Sequence, residues 1–230
     1  MLLAIDTATR NASIALYNAE GILAELTWRS RENHTVELMA QIVHLLDLLH
    51  AQKSDLQAIG VARGPGSFTG LRVGMSVAKG LAYGCSIPIM GVPTLDAVAS
   101  AQAHQSKSIW AVLAAGRGRF SIAKYTSRDS TVNRSSEYAL VDVNGLIDFV
   151  SRNGENTADA IFCGDIDSKL TTQLAQSFPQ AVIASPAQNV RRAGYLAELA
   201  WARFQRGESD DVTSLAPMYM PHESVEGARA

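Results

Sequence analysis

Cysteine is nearly absent from this chain. Cys85 and Cys163 are its only two, they share no ligand-like spacing, and they are too few for a disulfide framework. A reducing compartment, the cytoplasm, is therefore expected. Long apolar runs are missing as well: none approaches the roughly 18 residues that a membrane span requires, so no membrane association is expected. The short run Met1–Ile5 is ended by Asp6, with no basic segment or long apolar stretch beside it, and reads as a first strand rather than a signal peptide. Histidine is scarce and badly spaced for metal, because positions 34, 44, 50, 104 and 222 put no pair on one helical face. No metal is expected. Nor is there a nucleophile constellation: Ser67 lies in G-S-F rather than G-x-S-x-G, and the sequence sets no histidine beside either cysteine.

What is present suits a soluble globular protein. Apolar residues make up 47% and charged residues 18% of the 230, enough to bury a real core in one large domain or two of about 100 residues each. Basic and acidic groups nearly balance, at 20 and 22, but unevenly along the chain. Between Leu56 and Ser127, Arg63, Arg72, Lys79, Lys107, Arg117, Arg119 and Lys124 face the single acid Asp96. Such a segment either presents a basic face to an anion, RNA or acidic partner, or scatters its charges over several faces.

The hydrophobic pattern predicts three consecutive antiparallel strands, at Leu2–Asp6, Ser13–Tyr17 and Ile22–Trp28, then a helix over His34–His50. A strand at Ala58–Ala62, a helix at Phe68–Tyr83, a strand at Ile87–Val92 and a helix capped by Thr94 and running to about Gln102 follow. The polar stretch Gln102–Ser108 marks a lobe boundary, dividing the chain into 1–104 and 105–230. The second part repeats the order: strands Ile109–Ala114, Phe120–Thr126 and Glu137–Val143, a helix from Leu146, a strand Ala160–Cys163 and a helix Lys169–Gln176. A strand at Ala181–Ala184 and a helix over Val190–Gln205 close it, the last expected to pack back on the first lobe. Hairpins followed by strand–helix alternation argue mixed sheets flanked by helices, an α/β lobe used twice.

One stretch stands out, R-G-P-G-S-F-T-G-L-R-V-G at Arg63–Gly74. Its glycines miss the dinucleotide fingerprint by one residue, and no lysine stands where a Walker loop needs one. What remains is the start of a helix, turned by Pro65–Gly66 and capped by Ser67, whose free N–H groups also suit an anion. Within that helix Gly70, Gly74, Ala78 and Ala82 recur every four residues, although an internal glycine costs roughly 0.5–1 kcal/mol against alanine. A ridge of tiny side chains admits a closely packed helix, either from this chain or from a partner. The preceding helix is apolar over too wide an arc for one face, with Val36, Met39, Val43 and Leu46 in one set and Leu38, Ile42, Leu45 and Leu49 in another. Both helices thus look over-supplied with packing surface, and a partner's helices would cover the excess.

Asp6-Thr7-Ala8-Thr9 is the second candidate site. A carboxylate closing the first strand, followed by hydroxyls in the turn, suits phosphate and metal-bound water, and it equally suits an Asx turn in which Asp6 bonds its own backbone. Both readings stand.

The motifs L-L-A-I-D-T-A-T (Leu2–Thr9), R-E-N-H-T (Arg31–Thr35), A-R-G-P-G-S-F-T-G-L-R (Ala62–Arg72), G-V-P-T-L-D-A-V-A (Gly91–Ala99) and P-M-Y-M (Pro217–Met220) together resemble the TsaB (YeaZ) family. This is the dimerisation subunit of the bacterial tRNA threonylcarbamoyladenosine machinery. The resemblance is specific over the first 100 residues or so and thin beyond. It implies two lobes of the actin, Hsp70 and sugar-kinase (ribonuclease H-like) type, and a non-catalytic role supporting TsaD, which transfers threonylcarbamoyl to the adenosine 3′ to the anticodon. Partners would be TsaD and the ATPase TsaE, with a homodimer when alone and tRNA met only through the complex. It also implies no intrinsic cofactor, with ATP or ADP only at the interface with TsaD.

The partner-binding residues would be Val36, Met39, Val43 and Leu46 on the first helix and Gly66, Ser67, Phe68, Thr69, Gly70, Arg72, Gly74, Val77 and Ala78 around the second. Asp6, Thr7 and Thr9 are candidate nucleotide-phosphate residues, because actin-type ATPases bind phosphate and Mg²⁺-bound water in that turn. Two departures argue against such use: relatives carry an aspartate in the second lobe's hairpin where this chain has Ala114, and Arg119 replaces a further acid. TsaD-like proteins hold metal through H-x-x-x-H, which is also missing. A stand-alone actin-type ATPase or small-molecule kinase is the alternative reading, and a degenerate metallopeptidase the third.

Overall fold

The computed structural model describes residues 1–30, 34–104, 107–129, 131–154 and 157–220. The Arg31–Asn33 portion of R-E-N-H-T and the tail after Met220 lie outside them. Three antiparallel strands, β1 (Leu2–Asp6), β2 (Asn11–Asn18) and β3 (Gly21–Arg29), open the chain. They are followed by α1 (His34–Leu48), β4 (Ala58–Gly64), α2 (Phe68–Cys85), β5 (Ile89–Pro93) and α3 (Thr94–Ser100). Strands β4 and β5 add in parallel, giving the order β3-β2-β1-β4-β5.

The rest of the chain builds β6 (Ser108–Gly116), β7 (Arg119–Arg128), β8 (Thr131–Arg134), β9 (Ala139–Val141), α4 (Val143–Asn153), β10 (Ala160–Gly164), α5 (Ser168–Ser177), β11 (Val182–Ile183) and α6 (Ala193–Gln205). Its sheet runs β11-β10-β6-β7-β8, with β9 also on β7. Read from its far end this is the first sheet's order again. The earliest strand lies in the middle, its hairpin partner on one side and the parallel strands on the other.

Each sheet is covered on both faces, which is why β1 and β10 are buried at every position rather than at alternate ones. On β1, Leu3 and Ile5 meet Leu38, Ile42 and Leu45 of α1 and Met75 and Ala78 of α2. Leu2 and Ala4 turn the other way, onto Ala193, Leu196, Ala197 and Ala200 of α6. The small α6 side chains allow a close approach: a Cβ added at Gly60 would stand 2.7 Å from Ala200 Cβ. In the second lobe, Trp110, Val112, Ile122 and Phe162 face Leu146 and Val150 of α4 and Leu170 and Leu174 of α5. The opposite face, with Ile109, Ala111, Leu113 and Ala123, is covered by Leu95, Val98 and Ala99 of α3. The helix that ends each half of the sequence therefore packs on the sheet of the other half, and α3 and α6 meet between the sheets.

Three local expectations are corrected. The third strand of the second lobe is Thr131–Arg134, with only Ala139–Val141 surviving from the predicted Glu137–Val143; the polar Ser135–Ser136 turn divides the two, and the Ser135 N–H is held by Lys124 O. Thr94 does not cap α3. It is the first helical residue, wholly buried, and its hydroxyl accepts from the Gly64 N–H at 3.2 Å. Helix α6 begins at Ala193 rather than Val190, because the residues before it are committed to contacts with both lobes.

Candidate docking face and interlobe crevice

Helix α1 carries two apolar stripes, and the fold uses one. Leu38, Ile42 and Leu45 are buried, each worth about 1.5–3 kcal/mol to the core. Val36, Met39, Val43 and Leu48 face outward and are 74%, 40%, 51% and 62% exposed. Leu46 is half-buried and packs on the core from the edge. The neighbouring α2 presents Phe68, Thr69, Arg72, Ser76, Gly80, Tyr83 and Gly84 to the same exterior.

The glycine ridge belongs to the interior. Gly70, Gly74, Ala78 and Ala82 are buried; a Cβ at Gly70 would lie against Thr7 O and one at Gly74 against Thr7 Oγ1 and Ile5. The partner assigned to the ridge is thus the chain's own β1, and Gly70, Gly74 and Ala78 are not available to another protein. Val77 is half-buried against the same core, and Gly66 fits beneath Ala8, whose carbonyl would lie 2.5 Å from an added Cβ. The pattern that does face outward is Ser76, Gly80 and Gly84, again at four-residue intervals but set two residues from the inner ridge, so on the opposite side of the helix. Nothing lies within 4 Å of a Cβ built at Gly80 or Gly84. Sequence reading had that signal in the same helix and followed the inner repeat instead.

The start of α2 is built as the spacing suggests. Ser67 is the N-cap, its hydroxyl accepting from Gly70 N at 3.3 Å, and its own N–H donates to Ala8 O at 2.6 Å. The last described residues, up to Met220, lie over this point. After α6 it returns along β5, where the Gly91 N–H donates to Asp210 at 2.7 Å, and the Lys79 ammonium then donates to Thr213 O at 3.1 Å. Tyr219 packs on Phe68 with the rings tilted by 33° and centroids 5.2 Å apart, and Arg72 sits 3.7 Å over the Phe68 ring while donating to Tyr219 Oη at 3.1 Å. P-M-Y-M is therefore the clasp that ends this strap.

Between the lobes lies a crevice of about 530 Å³ lined by Thr9, Arg10, Asn11, Arg29, Ser67, Ala114 and Asp165; of Asp6, Thr7 and Thr9 only Thr9 reaches it, and Asp6 lies buried beneath. None of the three candidate phosphate residues is idle. Thr7 donates its hydroxyl to Gly70 O at 2.7 Å. Asp6 makes the Asx turn, accepting from Ala8 N at 2.9 Å, and its other oxygen accepts from Arg191 Nε at 2.8 Å. Thr9 Oγ1 accepts from Arg191 Nη1 at 2.9 Å. Of the departures noted in sequence, Ala114 lines the opposite lip and donates its N–H to Asp165 at 3.3 Å, while Arg119 pairs with Gly116 in the hairpin turn.

Burial pushes the Asp165 carboxyl up, against the pull of Arg191 and the Ala114 amide. Burial alone would lower Arg191, but Asp6 and Asp165 outweigh it and hold the guanidinium above its usual value. Sequence reading missed Arg191, whose partner is 185 residues away and whose R-R-A-G setting carries no motif.

A further hollow of about 590 Å³ lies between α3 and α6, with Val92, Leu199 and Asp96 in its wall. One oxygen of Asp96 accepts from both Tyr125 and Tyr138 hydroxyls, at 2.7 and 3.0 Å. Among the described residues no group of three or more His, Cys, Asp and Glu side chains converges as a metal site would require, and no helix is long and apolar enough to cross a membrane.

Two mixed sheets of one order, with end helices exchanged between them, define a two-lobed α/β protein. The family model for TsaD, tRNA N6-adenosine threonylcarbamoyltransferase, matches residues 8–224. The tRNA threonylcarbamoyladenosine biosynthesis protein TsaB of Bacillus subtilis is 32% identical over 222 residues, 95% of this chain and 93% of that one. TsaB of Escherichia coli is 41% identical over 98 residues, 43% and 42% of the two chains. In structure, YeaZ from Pseudomonas aeruginosa superposes with a TM-score of 0.76 at 24% identity, over 95% of this chain and 99% of that one. The chain belongs to the TsaB (YeaZ) family.

Proposed function

We propose that this protein acts in tRNA threonylcarbamoyladenosine biosynthesis as a non-catalytic scaffold. It binds TsaD, and with it TsaE, and so supports threonylcarbamoyl transfer to the adenosine 3′ to the anticodon of ANN-decoding tRNAs. The carrying observation is the outer side of the packed pair α1 and α2, with Val36, Met39 and Val43 exposed on the first helix and the small Ser76–Gly80–Gly84 stripe exposed on the second. Apolar knobs beside a furrow of small side chains suit two helices of another protein, and a relative with the same fold would present such a pair. The TsaD-family match over most of the chain supports a partner of that shape.

Without TsaD the same face closes on a second copy about a two-fold axis. Any ATP or ADP is held at the TsaD interface, tRNA is reached through the complex, and the site of action is the cytoplasm. Co-purification with TsaD tests the reading. The paired change Met39→Glu and Val43→Glu should leave the thermal transition of the isolated protein in place and abolish the complex. A complex that survives it rejects this face.

A further inference from the structure

Arg191 joins the two lobes from inside. Its side chain is 5% exposed, and each nitrogen of the guanidinium has a fixed acceptor. Nε donates to Asp6 Oδ2 at 2.8 Å, Nη1 to Thr9 Oγ1 at 2.9 Å and Nη2 to Asn11 O at 2.7 Å, all on the first lobe. From the second lobe the Asp165 carboxylate lies 3.8 Å from Nη1.

The flanking residues fasten both sides. Asn189 accepts from the Gly164 N–H at 2.9 Å and donates to Ala184 O at 2.9 Å, in the second lobe. In the first, Ser13 accepts from the Ala193 N–H at 2.9 Å, while Glu25 accepts from Gly194 N at 2.7 Å and pairs with Arg192 at 2.6 Å. Asp6 is 2% exposed, so its charge needs a near partner. Asp6, beneath the crevice, and Asp165, on its second-lobe lip, would repel one another without the arginine. A planar fork is also the side chain that reaches three acceptors at once; an ammonium on a flexible stem does not.

We propose that Arg191 is a built-in counter-ion that fixes the two lobes in one mutual arrangement across the crevice, without needing a ligand between them. The lock works by neutralising Asp6 and Asp165 together and by occupying the space at the end of β1 that an external cation or phosphate-bound ligand would need. Relative motion of the lobes is thereby restrained, and that restraint is encoded in the chain itself. This inference stands apart from the docking of α1 and α2 and does not require it.

Hydrogen exchange on the full-length protein tests it, with the amides of Ala8 and Gly164 as reporters, since each is held by a side chain of this network. In Arg191→Gln both should exchange at least tenfold faster, while amides of α1 and α4, remote from the crevice, keep their rates. Arg191→Lys should fall between. Guanidinium chloride at about 10 mM, far below denaturing concentrations, should slow exchange in Arg191→Gln, and sodium chloride at equal strength should not. Wild-type rates at both reporters in Arg191→Gln overturn the proposal, as does rescue by sodium equal to that by guanidinium. Should Arg191→Gln not fold, Arg191→Lys decides: faster exchange confined to the crevice lips supports the lock, and wild-type rates reject it.

Discussion

The Thr7 hydroxyl donates to the Gly70 carbonyl at 2.7 Å, pinning the first turn of α2 to the end of β1. This contact decides which glycines of α2 serve the fold and which remain for something else. Gly70 and Gly74 let the helix approach Thr7; a Cβ added at Gly80 or Gly84 would meet nothing within 4 Å.

Substitutions along α2 should accordingly split by face. Gly74→Ala sets a methyl against Thr7 Oγ1 and should cost about 1–3 kcal/mol of stability. Gly80→Ala, on the open side, should gain about 0.5–1 kcal/mol from helix propensity. Thermal or urea unfolding of both variants reads the difference; equal effects would mean that the inner and outer faces are wrongly assigned.

Gly80→Leu carries the docking question further. It adds bulk to the outer side of α2 at a position whose Cβ would meet nothing within 4 Å, so the monomer should remain folded. Association with TsaD, followed by size-exclusion chromatography of the mixture, should fall by tenfold or more.

The two thiols should differ in reactivity. Burial pushes the Cys163 thiol up to about 12, leaving almost no thiolate at neutral pH, whereas Cys85 is partly exposed near the end of α2. Iodoacetamide on the folded protein, read by mass spectrometry, should modify Cys85 alone and reach Cys163 only after unfolding.

Acid should release the C-terminal strap before the sheets. Burial by itself would raise Asp210, but its bonds with Arg203 and the Gly91 amide outweigh this and hold the carboxyl below its ordinary 3.8. A depressed folded value means stability that is present above the ordinary carboxylate range and is lost as pH falls through the depressed value. The neighbouring Asp211, bonded first by the Thr213 hydroxyl and then by Ser214, is lowered to about 2. Protection at Gly91 and Thr213 should hold at about pH 5 and be lost progressively as pH falls below the ordinary 3.8 towards about 2. In Asp210→Asn the loss should already be present at neutral pH.

Much of the fold was legible because it rests on local periodicity. The three opening strands, the strand–helix alternation and the second pass through the same order each follow from apolar spacing within a few residues, and Ser67 as the cap of α2 follows from its place before a helical run. The split third strand at Thr131–Val141 was not legible, since its polar residues alternate too weakly to separate a short strand from a turn. The outward stripe of α1 was visible as an excess of apolar positions. Which residues of α2 lay beside it was not: two four-residue repeats of small side chains, 70-74-78-82 and 76-80-84, occupy one helix, and periodicity carries no sign for inside or outside.

What the sequence determined alone is the repertoire: two α/β halves, helices with more apolar surface than one core uses, and a carboxylate closing the first strand. Only the tertiary structure decided how these were spent, because each decision depends on a partner distant in the chain. Burial against β1 claimed the inner glycines, and the exchange of α3 and α6 tied the halves together. Asp6 received its counter-charge from Arg191, which no local pattern could have paired with it, since the attraction between them exists only once both sheets have brought their strand ends to the same crevice.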